Sequence, residues 1–304
     1  MVRAERRRIR RLSRLCAAVA LCGIAVTAAA WGAAEPPGAV PSAGHGRFDS
    51  NRAWALVESQ LKYGQRPAGS PQLQRLAREL RPLLPGGHFE AVGGQSGLRN
   101  IVGTLPGRRP GLVIGAHYDT LAEPKGFLGA NNGAAGTAIV IELARALAAT
   151  KPTRGAREIR FVLFDGEEAP AGWPEDGRDF YNAALRGSRA YVAAHPGRTA
   201  EMVLLDYVGN KGLRLPREGS STPWLWTRLR SAAHAVGVLP VFPRQVGPAI
   251  ADDHTPFLRQ GVPSIDLIDW SYPGHELSDT IDKLSRRSLD AVGETVAELA
   301  LRLR

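Results

Sequence analysis

From residue 100 onwards, short apolar runs alternate with longer segments of helical period, and this alternation constrains the fold more than any other feature of the chain. The runs at 100–105, 112–116, 159–164, 202–208 and 262–268 read as strands. The segments at 134–149, 188–194, 224–236 and 285–303 read as helices. Strands so uniformly apolar are buried on both faces, which predicts an α/β fold around a largely buried, mainly parallel sheet. Upstream, 48–64 and 70–84 read as helices covering one face of that sheet. Leu73, Leu76, Leu80 and Leu83 recur at spacings of three and four, and Pro67-Ala68-Gly69-Ser70-Pro71 forms the break between the two helices. At 304 residues, 44% of them hydrophobic, the chain can bury one sizeable core. A single domain over 48–304 is expected.

The net charge of +10 suggests nucleic acid until it is located. Seven arginines (Arg3, Arg6, Arg7, Arg8, Arg10, Arg11 and Arg14) face only Glu5 in the first 15 residues, so most of the excess sits in one tail and the body is mildly basic. Nucleic-acid binding is not expected. Residues 15–34 follow without a charge, and 35–47 form a linker rich in proline, glycine and alanine. A cationic start, an apolar stretch and small residues at Gly32-Ala33-Ala34 describe an export signal, and a run of about 20 apolar residues also suffices for a membrane anchor. Both readings carry the body of the chain out of the cytoplasm, to the periplasm, the exterior or the outer side of the cytoplasmic membrane. Membrane contact is expected through this segment only, and the chain is expected to act as a monomer. Both cysteines, Cys16 and Cys22, lie in this stretch, so the body has no disulfide and no thiolate ligand.

Polar motifs stand just after the strands: His117 and Asp119, Glu167 and Glu168, Asp206, and His275 in a late loop. Ligands of open α/β sheets bind outside the carboxyl ends of strands, so these segments are expected to converge on one crevice. His117, Glu168, Asp206 and His275 supply the imidazole and carboxylate mixture of a catalytic zinc site. Asp119, two residues beyond His117, has the reach to accept an imidazole N–H and fix its tautomer. The adjacent Glu167 and Glu168 repel each other in a buried loop unless a cation or a shared proton relieves them; one can bind metal while the other moves protons.

These motifs carry a resemblance. His117-Tyr118-Asp119, Gly129-Ala130-Asn131-Asn132 leading into an apolar helix, Phe164-Asp165-Gly166-Glu167-Glu168, Leu204-Leu205-Asp206 and His275 together resemble the zinc exopeptidase family of bacterial leucyl aminopeptidases and glutaminyl cyclases. The resemblance implies one three-layer α/β/α domain with a mixed, mainly parallel sheet. It also implies His117, Asp206, Glu168 and His275 as metal ligands and Glu167 as general acid/base. Trp173 after the double glutamate, Asp252-Asp253-His254-Thr255-Pro256-Phe257 before Gly261-Val262-Pro263, and Trp270 are closer to the cyclase branch. They imply Asp252 as a partner in the catalytic network and Trp173 and Trp270 as pocket walls.

Three positions depart from the pattern. Gly274 stands where cyclases have a tryptophan before the final histidine, with Tyr272 as its expected substitute. Asp266 replaces a histidine. Asn132 occupies the metal-binding aspartate position, where a neutral amide weakens a paired-zinc site more than a single-zinc one. The expectation is therefore one zinc ion rather than two, and cyclisation of peptide or protein N-termini ahead of aminopeptidase hydrolysis, with an inactive homologue as a third reading. Asn132-Gly133 is also a pair prone to deamidation, which would restore an aspartate.

Overall fold

The computed structural model describes residues 39–173 and 179–304. The export or anchor segment expected at 1–34 lies outside these residues. Among the described residues, no helix is long and apolar enough to cross a membrane.

Two helices open the described body. α1 (Ser50–Leu61) is capped by Asp49, whose carboxylate accepts from the backbone N–H groups of Asn51 and Arg52, both at 3.0 Å. α2 (Pro71–Leu80) is capped by Ser70, starts with proline at its first turn and buries Leu73, Leu76, Ala77 and Leu80 along one stripe. Strands β1 (His88–Ala91), β2 (Arg99–Leu105) and β3 (Arg108–His117) lead into α3 (Gly136–Ala148) and β4 (Arg157–Phe164). A single-turn α4 (Phe180–Ala183), α5 (Arg186–Ala194), β5 (Thr199–Leu205), α6 (Pro223–Ala235), a short α7 (Thr255–Arg259), β6 (Ser264–Leu267) and α8 (Arg286–Leu303) complete the order.

The six strands form one sheet in the order β1-β2-β4-β3-β5-β6. β3 pairs in parallel with β4 and β5, and β5 with β6, while β1 and β2 add an antiparallel edge. The expected mixed, mainly parallel sheet is thus observed. β1 is the element the periodicity does not announce: it has four residues, is half-exposed at an edge, and packs only Phe89 against the core.

Alternation along each strand divides the core. Leu112, Ile114 and Ala116 of β3 pack with α1, α2, α3, α6 and α8 in the larger cluster. Val113 turns to the opposite face with Val162, Phe164, Met202 and Leu204, under Tyr191 of α5 and Phe257 of α7. Packing begins upstream of residue 48, where the linker was expected to end. Val40 is buried in the main core, Gly44 donates to the Val236 carbonyl at 3.0 Å, and Arg47 pairs with Glu298 at 2.8 Å.

After β3 the chain builds β4 on one side and then crosses to β5 on the other, so the direction of sheet growth reverses at β3. Its last residue is His117. Open α/β sheets place their crevice at such a reversal.

Candidate functional site

Three strand ends meet around His117. The Asp119 carboxylate accepts the backbone N–H groups of Glu167 and Glu168, both at 3.2 Å, and so ties the loop after β3 to the loop after β4. Asp119 Oδ1 lies 3.5 Å from His117 Nδ1, and Asp206 Oδ1, just past β5, lies 3.4 Å from His117 Nε2. Glu167 Oε2 is 3.9 Å from Nδ1. Gly133 closes in from above with φ +91°, and a Cβ there would come 2.6 Å from the Asp119 carbonyl and 3.3 Å from the His117 ring. Only glycine fits that position.

Asn132 stands on the irregular turn Ala130–Ala135 that precedes α3. Its backbone is far from helical (φ −78°, ψ 99°), and two buried charges hold the turn in place. The Asp279 carboxylate accepts from the N–H groups of Asn131 (2.9 Å) and Asn132 (3.0 Å). The Arg66 guanidinium donates to the carbonyls of Leu128 (2.6 Å) and Gly129 (3.0 Å). So fixed, the Asn132 side chain donates through Nδ2 to Glu168 Oε1 at 2.7 Å.

Above these groups lies a cavity of about 370 Å³, lined among others by Asn132, Glu167, Glu168, Asp206, Asp252 and His275. Trp173 and Trp270, 39% and 52% exposed, stand in its wall at the surface. Tyr207 stacks on Trp270 with ring centroids 6.4 Å apart and meets the His275 ring edge-on at 6.3 Å. Tyr207 has φ +44°, a left-handed conformation that an aromatic residue rarely adopts and that turns its ring into the cavity directly after Asp206.

The structure thus gathers Asn132, Glu167, Glu168, Trp173, Asp206, Asp252, Trp270 and His275 around one cavity, with His117 and Asp119 buried beneath it. Tyr272 stands behind this wall: its hydroxyl donates to Asp279 at 2.7 Å, and it does not line the cavity. The space beside Gly274 is filled by Tyr207, whose ring a Cβ at position 274 would overlap. The sequence reading missed Tyr207, although an aromatic next to Asp206 at a strand end was a usable signal. It also missed Leu121, Phe180 and Ile250, apolar wall residues that no motif marks.

The electrostatics call for a cation. Burial first, then the neighbouring Glu168, push the Glu167 carboxyl well above its ordinary range. Burial raises Glu168 to about 7 and Asp252 to about 6. Burial would lower His117, but Asp119, Asp206 and Glu167 outweigh it and raise the imidazole well above its usual value. Both His117 ring nitrogens lack a hydrogen-bond partner despite full burial. Unpartnered imidazole nitrogens among crowded carboxylates are the donor chemistry of a zinc-type ion, and His117, Glu167 and Glu168 each bring a ligand atom within 4.8 Å of the others. The residues present fit such an ion. Asn132 contributes an oxygen only if its amide turns over from its present contact with Glu168.

Comparison with known proteins agrees with this arrangement. The model of peptidase family M28 matches residues 100–300. A glutaminyl-peptide cyclotransferase-like protein of Mus musculus is 31% identical over 77% of this chain and 71% of its own length. Among solved structures, the glutaminyl cyclase of an Acidobacteriales bacterium superposes with a TM-score of 0.73 at 29% identity, covering 86% of this chain and 96% of its own. A leucine aminopeptidase precursor from Bacteroides thetaiotaomicron superposes at 0.74 with 25% identity, covering 86% of this chain and 100% of its own. With its switch-point cavity, double glutamate and strand-end histidine, the chain belongs to peptidase family M28.

Proposed function

We propose that this chain is a zinc-dependent glutaminyl-peptide cyclotransferase, converting the N-terminal glutamine of peptides or proteins into pyroglutamate with release of ammonia. The observation that carries the reading is the Asn132–Glu168 hydrogen bond in the wall of a cavity that also presents Glu167 and His275. A neutral amide is a poor bridge between two cations, which favours a single ion. Cyclisation uses the substrate's own amine and needs no activated water. The cyclase relatives support the same choice.

Glu168 and His275 would hold the ion, with the Asn132 side-chain oxygen and His117 or Asp206 as further donors. When bound, zinc supplies a Lewis acid that polarises the side-chain carbonyl of the substrate glutamine. Glu167 takes a proton from the α-amine as that nitrogen bonds to the side-chain amide carbon. It then delivers the proton to the departing nitrogen as the old amide C–N bond breaks, so ammonia leaves and the charge on Glu167 is restored. Its raised proton affinity suits both halves of that transfer. Asp252 is the second carboxylate of the network. Trp173, Trp270 and Tyr207 offer aromatic walls to the substrate; Tyr272 packs against Tyr207 with ring centroids 5.9 Å apart and, through Asp279, braces the turn that carries Asn132. The proposal includes export of the catalytic body by residues 1–34 and action as a monomer.

The test is to incubate the full chain, with zinc and with chelator, against a Gln-initiated and a Leu-initiated peptide and weigh the products. Zinc-dependent loss of about 17 Da, one ammonia, from the first peptide is expected. Shortening of the second without ammonia loss from the first would replace this reading by an aminopeptidase. Failure of both leaves an inactive homologue.

A further inference from the structure

We propose that Asp252, His254 and Asp266 form a second divalent-cation site of zinc type, buried between α7 and β6 behind the cavity wall. The proposal goes beyond the cyclase reading: Asp252 lines the cavity and is shared with its network, whereas His254 and Asp266 do not line it.

The three residues each place a ligand atom within 4.8 Å of the others, and none is more than 2% exposed. The atoms that face one another have no hydrogen-bond partner: both Asp266 oxygens, Asp252 Oδ2 and His254 Nδ1 are unsatisfied. His254 Nδ1 lies 3.8 Å from Asp266 Oδ2, a separation that two ligands of one small cation can span. A buried carboxylate with both oxygens unpartnered is rarely tolerated without a cation or a shared proton.

The imidazole is oriented from its far side. His254 Nε2 lies 2.9 Å from Ser220 Oγ and 3.2 Å from Glu218 Oε2. Glu218 is fixed in turn by the backbone N–H groups of Ser220 (2.8 Å) and Ile250 (3.0 Å) and by the Ser221 hydroxyl (2.9 Å). A carboxylate behind one ring nitrogen leaves the other as a lone-pair donor, the arrangement that prepares histidine to bind metal. Asp266 is held on β6 by its N–H, which donates to Ser221 Oγ at 2.9 Å. The free oxygen of Asp252 is Oδ2, because Oδ1 accepts the N–H of Asp253. Two carboxylates and one imidazole, without thiolate, suit zinc or a neighbouring first-row divalent ion. An ion here would pin the Asp252 side of the cavity wall to the sheet.

The experiment counts zinc in the full-length chain after dialysis, by elemental analysis, in two backgrounds. The variant Glu168→Ala with His275→Ala removes the principal donors of the cavity, and it is expected to retain one equivalent of zinc. Adding Asp266→Asn, which keeps the shape of the side chain, is expected to reduce that equivalent to zero and weaken zinc binding at least tenfold. Asp252→Asn serves as the second variant, and circular dichroism verifies that each protein is folded. A folded cavity variant without zinc, or a zinc count unmoved by both Asp266→Asn and Asp252→Asn, would overturn the proposal in favour of two acids sharing a proton. A wild-type chain that binds zinc only behind the cavity would sink the cavity assignment and leave this one standing.

Discussion

Asn132 donates from its side-chain amide to Glu168 Oε1 at 2.7 Å, so the residue that departs from the family's aspartate is already engaged with the carboxylate expected to bind the metal. An aspartate at 132 would face Glu168 as a like charge and require a cation between them. The amide instead neutralises the contact and keeps the wall of the cavity closed on itself.

Replacing Asn132 with aspartate should therefore separate the metal-free from the metal-loaded protein. In chelator, Asn132→Asp loses the hydrogen bond and gains a buried repulsion, a destabilisation of about 2–3 kcal/mol visible as a lower Tm. With zinc, an anionic ligand added beside Glu168 should raise affinity roughly tenfold or more, read by competition with a chromophoric chelator. An unchanged Tm in chelator would contradict this role for the hydrogen bond. Peptide mass spectrometry on the purified wild type distinguishes asparagine from aspartate at 132 before the comparison is made.

Glu167→Gln should leave the site assembled but without its proton carrier. The backbone N–H of Glu167, which reaches Asp119, is untouched by the change. Cyclisation should fall by about 10²–10⁴-fold in kcat, with zinc content and KM close to wild type. Loss of zinc in this variant would instead make Glu167 a ligand.

The sheet was legible because strands buried on both faces leave continuous apolar runs, and the strand-end motifs were legible because a crevice at those ends is a property of the fold. Strand β1 was not, since four half-exposed residues leave no period to read. Convergence of His117, Glu168 and Asp206 could be argued from their places just after strands, but the direction in which Asn132 points could not. That direction depends on Arg66 and Asp279, which lie 66 and 147 positions away in sequence from Asn132 and hold its turn from either side. The exchange of roles between Tyr272 and Tyr207 has the same origin. A tyrosine two residues before Gly274 looked like the nearer substitute, but the left-handed backbone at Tyr207 brings its ring there from another strand end.

Gly274→Ala tests that packing. A methyl group at 274 overlaps the Tyr207 ring and must displace it from its stack on Trp270. The expected result is a rise in KM for a Gln-initiated peptide of roughly tenfold, about 1.4 kcal/mol of lost substrate contact, with kcat less affected. Unchanged KM would mean that Tyr207 does not shape the occupied part of the cavity.

Asp279→Asn probes how the turn bearing Asn132 is held. Asp279 is fully buried and accepts from the N–H groups of Asn131 and Asn132 and from the Tyr272 hydroxyl. An asparagine of the same shape has one acceptor oxygen in place of two and turns an NH₂ donor towards groups that already donate. With the amide oxygen in the Oδ2 position, the NH₂ group faces the Asn131 N–H donor to donor at 2.9 Å and leaves it only the longer 3.2 Å contact, a loss of about 1–3 kcal/mol. The larger consequence is geometric, because the Asn132 backbone departs from helical values and has no regular hydrogen-bond ladder to fall back on. The variant should lose thermal stability and bind zinc more weakly. Asp279→Glu, which restores the charge but not the reach, should recover only part of either. If Asp279→Asn lowers Tm while zinc affinity stays at the wild-type value, Asp279 supports the fold alone and the position of Asn132 is set by Arg66.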